Sequence, residues 1–200
     1  MEGFNRRIFY GILTAVLVVV VLGAWYFSTY LNRQVITEDF ESGFGEWVAD
    51  ADVPLDPNNP GHSVEWNITL VTDPVRSGQY AVKFFIDGRQ DDGTIWIERK
   101  IDVKKNSPIQ VKLSFEFYSK HESFNTIATV CAYAGARNPE VEEDFKVLGS
   151  ANEVAGWKTY SLTTSTHTDS SGELWIAVGI SVRWETYMTY YIDDVEIEIL

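Results

Sequence analysis

A single cysteine, Cys131, stands in this chain of 200 residues, so no disulfide can form within it. Exterior domains that lack disulfides must be held by their apolar core, helped at most by a bound cation. Histidine is almost as scarce. His62, His121 and His167 are scattered, with no HExxH and no pair at metal-ligand spacing. A G-x-S-x-G elbow and a phosphate-cradling glycine loop are missing too, which removes the best-marked hydrolase and nucleotide-binding classes. Positive charge is the next shortage: 16 Lys and Arg stand against 29 Asp and Glu, a formal net charge of −13. Glu2, Arg6, Arg7 and Arg33 precede Gln34, so the remainder carries 28 acidic and 13 basic residues. Such a surface repels the phosphates of nucleic acid and the headgroups of anionic lipid. Beyond that, acidity marks good solvation and names no partner.

Long apolar runs are absent with one exception. Residues 8–26, IFYGILTAVLVVVVLGAWY, hold no charge, and a helix of that length crosses most of a hydrocarbon layer of ~30 Å. Arg6 and Arg7 precede it, while Trp25, Tyr26 and Tyr30 gather at its far end. Basic residues ahead of a span keep that side cytoplasmic, and aromatic rings suit the headgroup boundary. The expected organisation is a cytoplasmic N-terminus over 1–7, then a transmembrane helix with its interfacial end over 8–30. A linker over 31–37 and an exterior domain over 38–200 follow. The competing outcome is a cleaved signal peptide, for which the run is long and Leu22-Gly23-Ala24 puts a bulky residue where a small one is wanted. Both outcomes place the C-terminal part outside the membrane.

That part reads as β-structure almost throughout. Apolar residues alternate at Tyr80, Val82, Phe84 and Ile86, then at Ile95, Ile97 and Ile101, with Arg99 as an interruption. The same rule runs through Val111, Leu113, Phe115 and Phe117. It returns in Leu174, Ile176, Val178, Ile180 and Val182, and in Val195, Ile197 and Ile199. Period-two alternation marks strands with one buried face. Turn residues punctuate them at Arg76-Ser77-Gly78, Asp87-Gly88, Asp91-Asp92-Gly93, Asn106-Ser107-Pro108 and over 169–172. Two irregular pieces remain, 50–61 with three prolines and 137–156, which is acidic and suits a short helical turn. Many short strands joined by long loops predict an all-β, antiparallel jelly-roll β-sandwich behind one N-terminal transmembrane helix. Asn67-Ile68-Thr69 is a glycosylation sequon.

Several segments, in order, resemble jelly-roll carbohydrate-binding modules and their galactose-binding-like relatives. These are Asp39-Phe40-Glu41-Ser42-Gly43 with Trp47, Arg76-Ser77-Gly78-Gln79-Tyr80-Ala81-Val82, Val111-Lys112-Leu113-Ser114-Phe115, Gly156-Trp157-Lys158-Thr159-Tyr160 and Tyr191-Ile192-Asp193-Asp194-Val195-Glu196-Ile197. The opening and the IDD close also resemble MAM adhesion domains, whose cysteines this chain lacks. The resemblance implies Trp47 and Trp157 in the core. It also implies a structural Ca²⁺ tying the opening segment to the last strand, with Glu38, Glu41, Asp193 and Asp194 as carboxylate ligands and the backbone around Gly78 as helper. The alternative is that the two aspartates bond backbone amides before the last strand.

With the aliphatic residues inward, alternation sends Lys83, Phe85, Trp96, Glu98, Glu116, Tyr118, Trp175 and Arg183 outward. Sugar rings offer C–H faces to indole and phenol and hydroxyls to Glu, Arg and Lys, so such residues on one face would bind a glycan. Trp96, Glu116, Tyr118, Trp175 and Arg183 are the expected ligand-binding set. The preferred expectation is a membrane-anchored, non-catalytic domain outside the cell that binds glycans or a glycosylated surface. The alternatives are an adhesion or filament subunit that self-associates through its sandwich, and a glycosidase with Glu98 and Glu116 facing each other across one sheet.

Overall fold

The computed structural model describes residues 2–31, 33–90 and 92–200, with helical side chains described at 6 and 8–24. It forms two compact units, residues 1–34 with Leu200 and residues 35–199. The first is the helix α1 (Glu2–Leu31). Its exposed apolar side chains run from Ile8 at 45% through Val19 at 68% to Leu22 at 58%. Among the described residues, no helix is long and apolar enough to cross a membrane. Arg7, Trp25, Tyr26 and Tyr30, the expected flanks of the span, have side chains outside the described residues, as do Asn32 and Asp91.

The second unit is a sandwich of two sheets. In chain order the strands are β1 (Gln34–Glu38), β2 (Val48–Asp52), β3 (Trp66–Val71), β4 (Ala81–Asp87), β5 (Thr94–Asp102) and β6 (Pro108–Ser119). They continue as β7 (Ala128–Gly135), β8 (Lys146–Ser150), β9 (Gly156–His167), β10 (Glu173–Val182) and β11 (Tyr187–Ile199). The first sheet runs β3-β4-β11-β6-β9, with β1 also paired to β11, and the second runs β2-β5-β10-β7-β8. From β4 to β7, and again from β8 to β11, successive strands change sheet, which is the winding of a jelly roll.

Parity along each strand decides what enters the core. Val82, Phe84 and Ile86 of β4 meet Ile95, Ile97 and Ile101 of β5 and Val111, Leu113, Phe115 and Phe117 of β6 in one buried cluster. Leu174, Ile176, Val178, Ile180 and Val182 of β10 join it, as do Val195, Ile197 and Ile199 of β11. All were expected inward. Tyr80 was too, but it precedes β4 and stays half-buried. Arg99 keeps the inward parity of Ile97 and Ile101, yet it sits where the core opens and pairs with Glu46 at 2.5 Å and Glu38 at 3.9 Å.

Three segments depart from expectation. The joint at 31–37 contains most of β1, so the sandwich begins earlier than residue 38. The irregular piece at 137–156 supplies β8 as well as one 3-10 turn at Glu142–Asp144. The proline-bearing piece at 50–61 starts inside β2.

Candidate functional site

The expected ligand-binding residues do not share a face. Glu116 and Tyr118 lie on β6 of the first sheet, Trp96 and Trp175 on β5 and β10 of the second, and Arg183 one residue past β10. Alternation assigns a side chain to inside or outside, but it does not say which of two outsides. Glu98 and Glu116 likewise occupy the outer faces of opposite sheets, with the core between them. Two carboxyls so placed cannot flank one glycosidic bond.

The outer face of the second sheet is covered around Trp96. Gly179 of β10 pairs with Trp96, and a Cβ there would meet the Ile95 carbonyl oxygen at 2.2 Å and Trp96 Cβ at 2.7 Å. Only glycine leaves room for the indole, which is fully buried. Trp96 Nε1 donates to Glu98 at 2.7 Å. The Phe145 ring lies 5.0 Å from the indole and 6.1 Å from Tyr133. Glu142 fastens this strap: its N–H donates to Asp52 Oδ2 at 3.0 Å, and Thr94 Oγ1 donates to Glu142 Oε2 at 3.0 Å. Arg183 pairs with Glu142 at 2.7 Å, so its charge is spent on the strap. Burial raises the Glu98 carboxyl above its ordinary range, offset in part by the hydrogen bonds from Trp96 and Asn138. Cys131, on the same face, is buried, and desolvation pushes its thiol up, which favours the protonated form. Trp175 is half-buried beside Gly135.

The first sheet presents the more open aromatic face. One register row reads Lys83, Tyr191, Tyr118, Trp157 across β4, β11, β6 and β9. Tyr118 lies 5.3 Å from Trp157 and 5.7 Å from Tyr191 between ring centroids, and all three rings are half-buried. Burial raises the Tyr191 phenol, with Tyr118 and Asp73 adding to the shift. Beside the row, Phe85 stacks on Tyr187 at 6.2 Å, and the Arg89 guanidinium sits 4.4 Å above the exposed Tyr187 ring. Glu116 borders the row on its other flank, accepting from Arg76 Nε at 3.2 Å and Thr159 Oγ1 at 2.5 Å. A cavity of about 300 Å³ lined by Ser119, Asn152, Tyr187 and Tyr191 continues from this surface. A row of rings flanked by carboxylate, guanidinium and ammonium groups can pack sugar C–H faces and bond their hydroxyls.

Trp157 and Tyr191 were missed as outward residues, and Trp157 was expected in the core. The sequence carried a signal for it. Trp157 and Tyr160 are three apart in β9, so on a strand they face opposite ways; Tyr160 took the core at 5% exposure. Trp47, expected inside, is buried at 3%.

The four expected calcium ligands lie where the opening segment, the loop 76–80 and the last strand meet, apart from Glu38. That residue turns toward Arg99 and accepts from the Phe40 N–H at 3.2 Å. Glu41 Oε1 accepts from the N–H groups of Gln79 at 2.7 Å and Tyr80 at 2.9 Å. Asp193 Oδ2 accepts from Arg76 N–H at 2.9 Å and Ser77 N–H at 3.3 Å, its Oδ1 from Asp194 N–H at 2.8 Å. Ser77 Oγ donates to Asp194 Oδ1 at 2.7 Å. Desolvation raises the Asp193 carboxyl, and the amide bonds oppose the shift. Gly78 has φ +61°, and a Cβ there would meet Glu41 Oε1 at 2.3 Å. The donors are of the hard kind calcium takes, but their lone pairs go largely to amides. Among the described residues, no three acidic, His or Cys side chains stand close enough to hold an ion.

No family model and no curated protein matches the chain. Solved structures do. One, of carbohydrate-binding modules of the β-sandwich superfamily studied for promiscuous specificity, shares 14% identity with a TM-score of 0.51, covering 78% of this chain and 59% of that one. This chain thus spans less than two thirds of that structure. TmCBM61, solved with β-1,4-galactotriose, shares 15% identity over 80% of this chain and 92% of that one, TM-score 0.47. The K3 adhesin domain of Lys-gingipain from Porphyromonas gingivalis shares 15% over 83% and 98%, TM-score 0.48. At 14% identity the likeness to the first of these is one of fold alone: both are β-sandwiches.

Proposed function

We propose that the domain binds glycans, or a glycosylated surface, without acting on them, and does so through the outer face of the first sheet. The observation that carries this reading is the row Tyr191, Tyr118, Trp157, three adjoining half-buried rings on three neighbouring strands. The binding set therefore becomes Tyr118 and Glu116 from the sequence, joined by Tyr191, Trp157 and Lys83. Trp96 and Arg183 serve the covered face instead. Titration of the protein with cell-wall polysaccharides, or a glycan array, tests the proposal. Binding that Tyr118→Ala and Trp157→Ala weaken supports it. No binding to any glycan, or binding indifferent to both substitutions, rejects it.

The same proposal includes a membrane tether and an extracytoplasmic location. Its support is the uncharged run at 8–26 with Arg6 and Arg7 before it, together with the exposed apolar side chains of α1. Protease added to intact cells should remove the sandwich. Protection until the cells are permeabilised would place it inside.

A calcium ion at the corner of Glu41, Asp193 and Asp194 belongs to this reading as well. It is favoured by the hydrogen bonds that tie Glu41, Asp193 and Asp194 to the one loop 76–80, and backbone oxygens would have to supply most of its ligands, because these carboxylates do not stand close enough together to hold an ion by themselves. The ion would supply the positive charge that a buried carboxylate otherwise lacks.

A further inference from the structure

β6 and β11 run side by side through the aromatic row and then part. β11 pairs with β4 from Tyr187 onward, but with β6 only from Tyr191. The cavity of about 300 Å³ opens in that gap, between residues 119–121 on one bank and 186–191 on the other. Tyr191 belongs both to the row and to the cavity wall, so the two form one surface. Such a volume lies at the small end of ligand sites and suits one sugar ring rather than a chain.

The wall is rich in donors. Tyr190 is 5% exposed, and its phenol hydroxyl has no hydrogen-bond partner among the described residues. A buried hydroxyl left so is costly unless something in the cavity accepts from it. Desolvation pushes this phenol up to about 12, which keeps its proton in place. Lys120 and His121 stand on the opposite bank, and Lys120 is exposed with no ion pair among the described residues. In a chain with 29 acidic residues, no Asp or Glu is among the described residues that line this cavity. Glu122 and Glu185, beside it in sequence, are exposed and outside the lining. On the adjoining face, Glu116 is matched by Arg76 at 3.2 Å and Asp87 by Arg89 at 2.6 Å.

We infer that this cavity takes the negatively charged group of an acidic sugar, a carboxylate or a sulfate ester, from a glycan lying on the row. Tyr190 Oη and Lys120 Nζ would donate to its oxygens, and such bonds are stronger to a charged acceptor than to a neutral one. The inference rests on the proposal that the row binds glycans, and it adds which glycans those are.

The test is titration calorimetry on the full chain in nonionic detergent with trigalacturonate, its methyl ester, a sulfated galactan oligomer and the same oligomer desulfated. At least one charged probe is expected to bind about tenfold or more tighter than its neutral counterpart. The pair that shows the difference tells carboxylate from sulfate. Lys120→Gln and Tyr190→Phe should each remove most of that preference, leave the neutral probes within about twofold and melt with the parent. Lys146→Gln, which removes an exposed charge from β8, should leave the preference intact. Equal affinity for the charged and neutral members of both pairs overturns the inference. So does a preference that survives both substitutions, because the anion would then lie elsewhere. In either event, neutral binding that Tyr118→Ala weakens keeps the row as a glycan site. If none of the probes binds, the inference falls with them, and the wider glycan array decides on the row alone.

Discussion

Tyr118 and Trp157 face each other across β6 and β9 with ring centroids 5.3 Å apart, on the outer side of a sheet whose inner side is packed with Phe115, Phe117 and Tyr160. The pair is held in place by backbone register rather than by a loop. Its geometry therefore does not need a ligand to form it, and a rigid aromatic platform loses little entropy on binding.

Removing either ring should lower affinity for the bound glycan about tenfold or more, the equivalent of about 1.4 kcal/mol per decade. Melting temperature should change little, since both rings lie outside the core. Trp96→Ala should behave oppositely. It empties a fully buried site under Phe145 and should cost about 3–5 kcal/mol of stability, leaving the affinity of the folded fraction unchanged. Titration calorimetry beside thermal melting separates the two effects.

Glu98 should give the second sheet a pH signature. Its folded carboxyl is raised above the unfolded one, so the native state holds the proton more tightly than the unfolded chain. The resulting stability is full below the unfolded value and is lost as pH rises through the native one. Glu98→Gln keeps an acceptor for Trp96 Nε1 without the charge. Melting curves of parent and variant should diverge as pH climbs through that window, the variant gaining relative to the parent.

At the corner of Glu41 and Asp193, two changes report on different things. Gly78→Ala drives a Cβ into Glu41 at a positive φ and should destabilise the domain by about 1–3 kcal/mol. EDTA should lower the melting temperature of the parent, because a ligand that prefers the native state raises its stability. Asp194→Ala should abolish that difference. Equal melting with and without chelator assigns the corner to its amide hydrogen bonds alone.

Glu142→Ala should loosen the strap over Trp96. Thr94, Arg183 and the Asp52 carboxylate converge on this residue, and loss of its charged side-chain bonds should cost about 1–2 kcal/mol. Hydrogen exchange over 137–145 should quicken more than exchange in β6 or β11.

Alternation in the sequence was enough to place Val82, Phe84, Ile95, Ile97 and the apolar rows of β6, β10 and β11 inside. The rule is local: successive side chains on a strand point to opposite sides wherever the strand sits. It served less well for the candidate site. Glu116 and Tyr118 were read as outward and are; Trp96 was read as outward too, and so it is, but Gly179 and the strap at 137–145 enclose it. Trp157 was assigned by likeness to the core, although its spacing from Tyr160 put the two on opposite faces.

By itself, then, the sequence determined the β-sandwich class, the inward rows and the single uncharged apolar run, because each follows from spacing along the chain. Tertiary structure alone decided that Trp96 and Tyr118 lie on opposite sheets, that Arg183 is bound to Glu142, and that Trp157 completes a row with Tyr118 and Tyr191. Those relations join residues far apart in sequence, and they are set by which strand hydrogen-bonds to which, a choice that no local periodicity records.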